Sequence, residues 1–545
     1  MKTRTIADSA YSYPLLIKQL LHTPLLCTPS QEIVSAGTQR YDYTAFFKRI
    51  GRVAAALRSI GVADGDTVAV MDWDCHRYLE CFFAVPMMQA VLHTVNVRLS
   101  PEQILYTINH AQDDVILVHQ EFLSLFEQIA DRIERPVKLI LLQDEVSEQP
   151  LPENFIGEYE SMLEQVDEDF GFRDFDENSL ATLFYTTGTT GNPKGVAFSH
   201  RQLVLHTMGL LAGLGPLAGS CSFNKNDVYM PITPMFHVHG WGIPFAATLA
   251  GIKQVYPGRY DPSTLLRLIE EEGVTFSHCV PTILHMLLNA PESKSVDLSG
   301  WKVIIGGSAL SRGLANAALD RGIEVFTGYG MSETCPVLTI ADVADSAESS
   351  ERDFTLSERC VTGTPLPMVD LRVVDGEMND VPHDGSTTGE VVARAPWTTL
   401  GYVDNQKNSD ELWRGGYLHT GDVGHINESG VLQITDRLKD VIKSGGEWIS
   451  SLDLEDAISR CPGVSEVAAI GVPDARWGER PVVLVVTSDG IDLETSDVQQ
   501  AIATQVESGR FSKWAIPERV EFVDSLPKTS VGKLDKKKMR ALYAD

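Results

Sequence analysis

Residues 180–195 read LATLFYTTGTTGNPKG. The first six form a short apolar run with the texture of a buried strand, and the chain then turns at once into glycine and threonine. Glycines at 188, 191 and 195 let backbone N–H groups approach phosphate oxygens. The hydroxyls of Thr186, Thr187, Thr189 and Thr190 add donors or a magnesium contact, and Lys194 adds charge. This is not a Walker loop, because Lys194 is followed by Gly195 where Ser or Thr is required and the glycine spacing differs. In isolation the segment also reads as a polar surface turn, so its meaning depends on the rest of the chain.

Outward from this loop the same grammar repeats. Short β-like runs occur at 66–73 (DTVAVMDW), 113–119 (DDVILVH), 137–143 (VKLILLQ), 301–307 (WKVIIGG) and 323–330 (IEVFTGYG). Helical patterns lie between them. Phe46, Phe47, Ile50, Val53, Ala54, Leu57 and Ile60 share one helical face, with Thr44 as the expected N-cap and Gly61 as the stop. Ser100 and Gln103 form a capping-box pattern, and DPSTLLRLIEEEG at 261–273 starts with an Asp cap and a first-turn Pro and ends at Gly. Strands alternating with helices predict an α/β fold of parallel sheets covered on both faces. Strands that run into TTGTTG, GGSAL and GYG put candidate ligand loops at strand C-terminal ends, where doubly wound sheets bind ligands. After about residue 388 the pieces become shorter (GEVVAR, GVLQIT), and DRLKD at 436–440 precedes a small α+β stretch. The expected division is 1–435, a hinge at 436–440, and 441–545.

The bulk numbers agree with an enzyme-sized globular protein. At 545 residues, with 43% hydrophobic and 22% charged residues, the chain has room for about two to four compact units. Forty-five Lys and Arg against 74 Asp and Glu leave a net charge of -29, a field that repels nucleic acid and anionic membrane surfaces. Lys528, Lys533, Lys536, Lys537, Lys538 and Arg540 crowd the C-terminal segment, which on its own reads as a solvated basic tail. Eight scattered cysteines without a CxxC pair suit a reducing cytoplasm. The first residues lack a signal-peptide pattern and no apolar run approaches membrane-spanning length, so neither export nor a membrane anchor is expected.

Further motifs follow the glycine-threonine loop in order: PMFHVHGW from Pro234, GGSAL from Gly306, GYGMSETCP from Gly328, HTGDVG from His419, TDRLKDVIKSGGEWIS from Thr435 and PKTSVGK from Pro527. Together with YTTGTTGNPKG this series resembles the adenylate-forming superfamily of acyl-CoA synthetases, peptide-synthetase adenylation domains and beetle luciferases. It covers nearly the whole chain. EWIS and the stretch MDWDCHRYLECFFAVPMMQAVLHTVNVRLS are most similar to bacterial medium- and long-chain fatty-acid CoA ligases. Thr187 and Ser332 depart from the commoner serine and threonine at those positions but keep a hydroxyl. The resemblance implies a large N-terminal domain of doubly wound sheets with a β-barrel-like subdomain, and a small mobile C-terminal domain. It also implies ATP, coenzyme A and a small-molecule acid as substrates, Mg2+ as cofactor, and a homodimer.

It implies residue roles as well. Lys533 would meet the charge that develops where carboxylate and α-phosphate join, and His237 would lie beside the acyl carboxylate. Glu333, with Thr187, would hold magnesium. Thr186, Thr187, Gly188, Thr189, Thr190, Gly191 and Lys194 would grip phosphates, with Ser332 and Thr334 nearby. Gly307, Ser308, Thr327, Gly328 and Tyr329 would contact adenine, Asp422 the ribose, and Arg437 the ribose or a phosphate. Lys439 would be the pivot, and Lys443, Gly445, Gly446 and Trp448 would face CoA. Trp241 would wall or gate an acyl tunnel, or be an ordinary core aromatic. His237 and His239 are expected on one face of an extended segment, which looks metal-like but lacks further spaced ligands. Asp72, Asp74 and His76 are read as a polar strand-end loop. A CoA ligase for another small, aromatic or sulfur-containing acid, a luciferase-like oxygenase, a carrier-protein adenylating enzyme and a silent nucleotide-binding protein are the competing readings, and a P-loop ATPase would yield ADP where an adenylating enzyme yields AMP.

Overall fold

The computed structural model describes residues 7–37, 39–145, 151–186, 192–217, 221–343, 352–444, 447–474, 476–488, 491, 493–507, 511–529 and 532–543. Two large sheets dominate. A seven-stranded sheet runs in the order Phe155–Glu158, Lys138–Leu142, Val115–His119, Thr67–Met71, Val91–Thr94, Leu180–Thr186, Lys194–Ser199, parallel except for the last pair. A nine-stranded sheet has a parallel centre formed by Glu32–Ser35, Lys253–Tyr256, Val228–Pro231, Phe276–Cys279, Lys302–Ile305 and Glu324–Gly330, with antiparallel strands at both edges. The central strand Thr67–Met71 is buried along its whole length because helices cover both faces, with Val68, Ala69, Val70 and Met71 all in the core. The β-rich subdomain is a four-stranded antiparallel sheet, Asp370–Val374, Gly389–Arg394, Leu418–Ile426, Leu432–Arg437. A five-stranded sheet built on the long hairpin Val464–Asp474 and Gly478–Thr487 forms the small C-terminal unit.

The glycine-threonine loop joins two antiparallel strands, with Thr186 opposite Lys194, so a strand and not a helix follows it. Local signals elsewhere act as their chemistry dictates. Ser100 and Gln103 close the capping box of helix Pro101–Ala111, and Asp261 caps Pro262–Glu272 through the Thr264 N–H. The helix that carries Phe46, Ile50 and Val53 corrects one expectation. It spans Tyr43–Ser59, and the Asp42 carboxylate caps it by accepting from the Ala45 N–H at 2.8 Å, while the Thr44 hydroxyl donates to the Pro29 carbonyl at 3.2 Å. A carboxylate at the positive end of the helix outcompetes a hydroxyl two residues later.

A buried ionic network ties this helix to its neighbours. Glu80, fully buried, accepts from Tyr41 at 2.8 Å, Tyr159 at 2.7 Å and the Arg49 Nε at 2.6 Å, and Arg49 reaches Glu160 at 2.7 Å. The C-terminal unit docks on the C-terminal ends of the nine-stranded sheet: the Thr282 hydroxyl donates to the Gly532 carbonyl at 2.9 Å and the Arg312 N–H to Asp456 at 3.3 Å. Among the described residues no helix is long and apolar enough to cross a membrane.

Candidate active site

The site lies where the strands Lys302–Ile305 and Glu324–Gly330 end. Glycine is needed at 306 because a Cβ there would sit 2.8 Å from both the Gly328 carbonyl oxygen and Trp241 Cη2. Gly307 has φ +77, and a Cβ on it would lie 2.8 Å from Lys533 Cε and 3.5 Å from its Nζ. Lys533 is thus laid directly over the Gly307 backbone by the Thr282–Gly532 contact. Its amine is pushed down to about 8, first by burial and then by the Arg437 guanidinium, with Asp422 and Glu333 pulling the other way. Four of the expected charged residues therefore share one electrostatic field.

Asp422 and Arg437 face each other in register across the antiparallel pair Leu418–Ile426 and Leu432–Arg437, with Arg437 Nε 3.1 Å from Asp422 Oδ1. The second Asp422 oxygen accepts from the Tyr329 hydroxyl at 2.8 Å, so this carboxylate orients both a ring and a guanidinium. Glu333, buried on the short turn Ser332–Thr334, accepts from the Tyr402 hydroxyl at 2.6 Å. Lys194 lies 4.5 Å from the centroid of the same Tyr402 ring. Tyr402 carries no motif that marks it in the sequence, and only the fold brings it between Glu333 and Lys194.

Other expected residues are placed as follows. Ser308, Ser332 and Thr186 are half-buried around these groups. The Thr327 hydroxyl donates to the Arg359 carbonyl at 2.8 Å, and the buried Thr334 hydroxyl accepts from the Met331 N–H at 3.0 Å and donates to the Pro336 carbonyl. Lys439 is exposed between Leu438, whose N–H bonds the Gly421 carbonyl at 3.0 Å, and Asp440, which pairs with Arg540 at 2.7 Å. Lys443 lies opposite Trp448 in the hairpin Ile442–Ser444 and Glu447–Ile449, which packs on the turn Lys513–Ala515 of its own unit. Thr187, Gly188, Thr189, Thr190, Gly191, Gly445 and Gly446 lie outside the described residues.

The histidine segment overturns the extended reading. Val238, His239, Gly240, Trp241 and Gly242 all have φ between 48 and 72, a left-handed turn of five consecutive residues. Such a turn costs about 1–2 kcal/mol for each non-glycine residue. It sends His237 and His239 to different places. His239 is fully buried among Phe82, Phe184, Phe198 and Phe245, with its ring 5.3 Å from that of Phe184. His237 stays half-buried on the Lys533 side, its imidazole pushed down to about 3, chiefly by burial and next by the Lys533 charge. Trp241 packs on His278, ring centroids 5.0 Å apart, and closes over Gly306. Asp72, Asp74 and His76 diverge: Asp72 accepts from the Cys75 thiol and from Arg77, Asp74 accepts from the Met235 N–H at 2.9 Å and from Tyr260, and His76 faces Glu160.

Among the described residues no group of three or more His, Cys, Asp or Glu could hold a metal. A single hard carboxylate, Glu333, close to the end of the phosphate-type loop fits magnesium, which is bound through one or two carboxylates together with substrate phosphates.

The chain matches the AMP-binding enzyme family over residues 26–403 and the AMP-binding enzyme C-terminal domain over 453–533. It is 40% identical to a long-chain-fatty-acid–CoA ligase of Thermus thermophilus, covering 92% of this chain and 90% of that protein. It is 35% identical to a 3-methylmercaptopropionyl-CoA ligase of Ruegeria lacuscaerulensis, covering 98% of each, and 34% identical to a medium-chain-fatty-acid–CoA ligase of Ectopseudomonas oleovorans, covering 95% and 94%. Among solved structures, ATP-bound MatB from Rhodopseudomonas palustris is 25% identical with a TM-score of 0.82, covering 98% of this chain and 99% of that one. The anthranilate CoA ligase AuaEII in complex with anthranoyl-AMP shares the fold at a TM-score of 0.85 and 22% identity, covering 97% and 98%.

Proposed function

The chain belongs to the AMP-binding enzyme family, and from that membership we propose that it is an acid–thiol ligase acting on medium- or long-chain fatty acids. The observation that carries the reading is Lys533 over Gly307, in one field with Asp422, Arg437 and Glu333. In the first step a carboxylate oxygen attacks the α-phosphorus of ATP, the bond to the β-phosphate oxygen breaks, and acyl-AMP and pyrophosphate form. Two anions approach each other, so a cation at the meeting point lowers the barrier. With its amine near 8, Lys533 is mostly an ammonium at neutral pH and serves as that cation. Asp422, held by Tyr329 and Arg437, accepts from the ribose hydroxyls, and Gly307, Ser308, Thr327, Gly328 and Tyr329 line the adenine. Residues 186–191 and Lys194, with Ser332 and Thr334, take the phosphates. His237, neutral above about pH 3, offers an uncharged hydrogen-bonding edge to the acid. Magnesium held by Glu333 and Thr187 would neutralise part of the triphosphate charge.

In the second step the CoA thiol attacks the acyl carbon and AMP leaves. We assign Lys443, Gly445, Gly446 and Trp448 to the CoA side, reached by rotation about Lys439. Trp241, closed over Gly306, would border the acyl channel. We place the reaction in the cytoplasm, in keeping with eight cysteines that form no disulfide, and take the homodimer implied by the resemblance as its working assembly. The relative that acts on a methylmercapto acid makes a thioether acid the second substrate to try. A pyrophosphate-release assay over acids from acetate to palmitate, with thioether and aromatic acids alongside, should give the highest kcat/KM for medium or long chains. An optimum at acetate or at a thioether acid would refute the fatty-acid assignment, and no acid-dependent release would refute the ligase.

A further inference from the structure

Tyr402 connects three segments that meet at the phosphate side of the site. Its backbone bridges Val196, the following Val403 N–H donates to the Gly195 carbonyl at 2.9 Å, and its own N–H donates to Ser409 Oγ at 2.9 Å. Three residues earlier, the Thr399 N–H donates to the Glu333 carbonyl at 2.8 Å and its hydroxyl to the Ala197 carbonyl at 3.2 Å. The ring is therefore pinned between the strand that leaves the phosphate-type loop and the turn that carries Glu333. Its hydroxyl donates to Glu333 Oε1 at 2.6 Å, the length of a charge-assisted bond, and its face supports the Lys194 ammonium at 4.5 Å. One carboxylate oxygen is thereby fixed, which sets where the other points, and the Lys194 ammonium is held on the face of the same ring.

We infer that Tyr402 is a positioning residue that presets Glu333 and Lys194 for a magnesium–triphosphate and so sets affinity for that ligand, not for the acid or for CoA. The inference rests on the function proposed above. Calorimetric titration of the full chain, with no acid present and hence no turnover, tests it with MgATP and with ATP in chelator. Tyr402→Phe keeps the ring and removes the hydroxyl: MgATP binding should weaken by about tenfold, metal-free ATP binding should barely change, and the KM for acid should hold. Tyr402→Leu also removes the shelf under Lys194, and metal-free ATP binding should weaken as well. Thermal unfolding of both variants at the wild-type temperature establishes that the loss is local. A Tyr402→Phe protein that binds MgATP like the wild type, or that loses MgATP and metal-free ATP equally, overturns the inference. A wild type that fails to bind MgATP at all overturns the proposed function and this inference with it.

Discussion

Replacing Gly307 by alanine would place one methyl group between the sheet and Lys533. At φ +77 the added side chain costs about 1–2 kcal/mol in backbone strain. Its Cβ would lie 2.8 Å from Lys533 Cε and 3.2 Å from Val280 Cγ1. Ordinary carbon contacts are about 3.5–4.0 Å, so Cε must retreat by roughly 1 Å. Val280 is buried at the start of helix Pro281–Asn289 and yields less than a lysine stem. A misplacement of about 1 Å in a positioned reaction costs on the order of a hundredfold in rate. Single-turnover pyrophosphate release should therefore slow by that factor, while the melting temperature drops only a few degrees. Thioester formation from supplied acyl-AMP, for which the proposed rotation about Lys439 takes Lys533 away, should stay near the wild-type rate. Wild-type pyrophosphate release, or equal losses in both half-reactions, would refute the placement of Lys533.

Three further outcomes are expected. Because the Lys533 amine lies near 8, below its ordinary range, the ammonium is present below that pH and lost above it; adenylation should fall as pH rises through about 8, and Lys533→Arg should remove that limb from the pH–rate profile. Asp422→Ala frees Tyr329 and Arg437 from their shared acceptor and should raise the KM for ATP by about ten- to a hundredfold without changing that for acid, read from steady-state kinetics. Glu80→Ala leaves Arg49 buried beside an incomplete set of partners and should cost about 3–5 kcal/mol in chemical denaturation, with activity per folded molecule retained.

Much of the architecture was legible because local chemistry and tertiary structure agree there. The apolar runs at 115–119 and 138–142 are central strands, and Ser100 and Asp261 cap helices as their spacing requires. Glycines 306 and 307, read as candidate ligand-loop residues at strand ends, each have backbone or side-chain neighbours that leave no room for a Cβ. What escaped were features decided by competition or by long-range contact. Asp42 and Thr44 both suit a cap, and only the fold gives Thr44 another partner in Pro29. His237 and His239 are read on one face of an extended segment, since nothing local favours a left-handed turn at a valine, a histidine and a tryptophan. Tyr402 meets Glu333 across 69 positions of sequence, a separation that no motif spacing encodes.

The central claim is that Lys533 serves the formation of acyl-AMP and not its use. Lys533→Ala measured in both half-reactions, with the nucleotide products separated by chromatography, tests it most directly. AMP and pyrophosphate from the wild type, a loss of acid-dependent pyrophosphate release in the variant, and retained acyl-CoA formation from supplied acyl-AMP are the predicted results. Unchanged pyrophosphate release in the variant, or ADP and phosphate from the wild type, would contradict it.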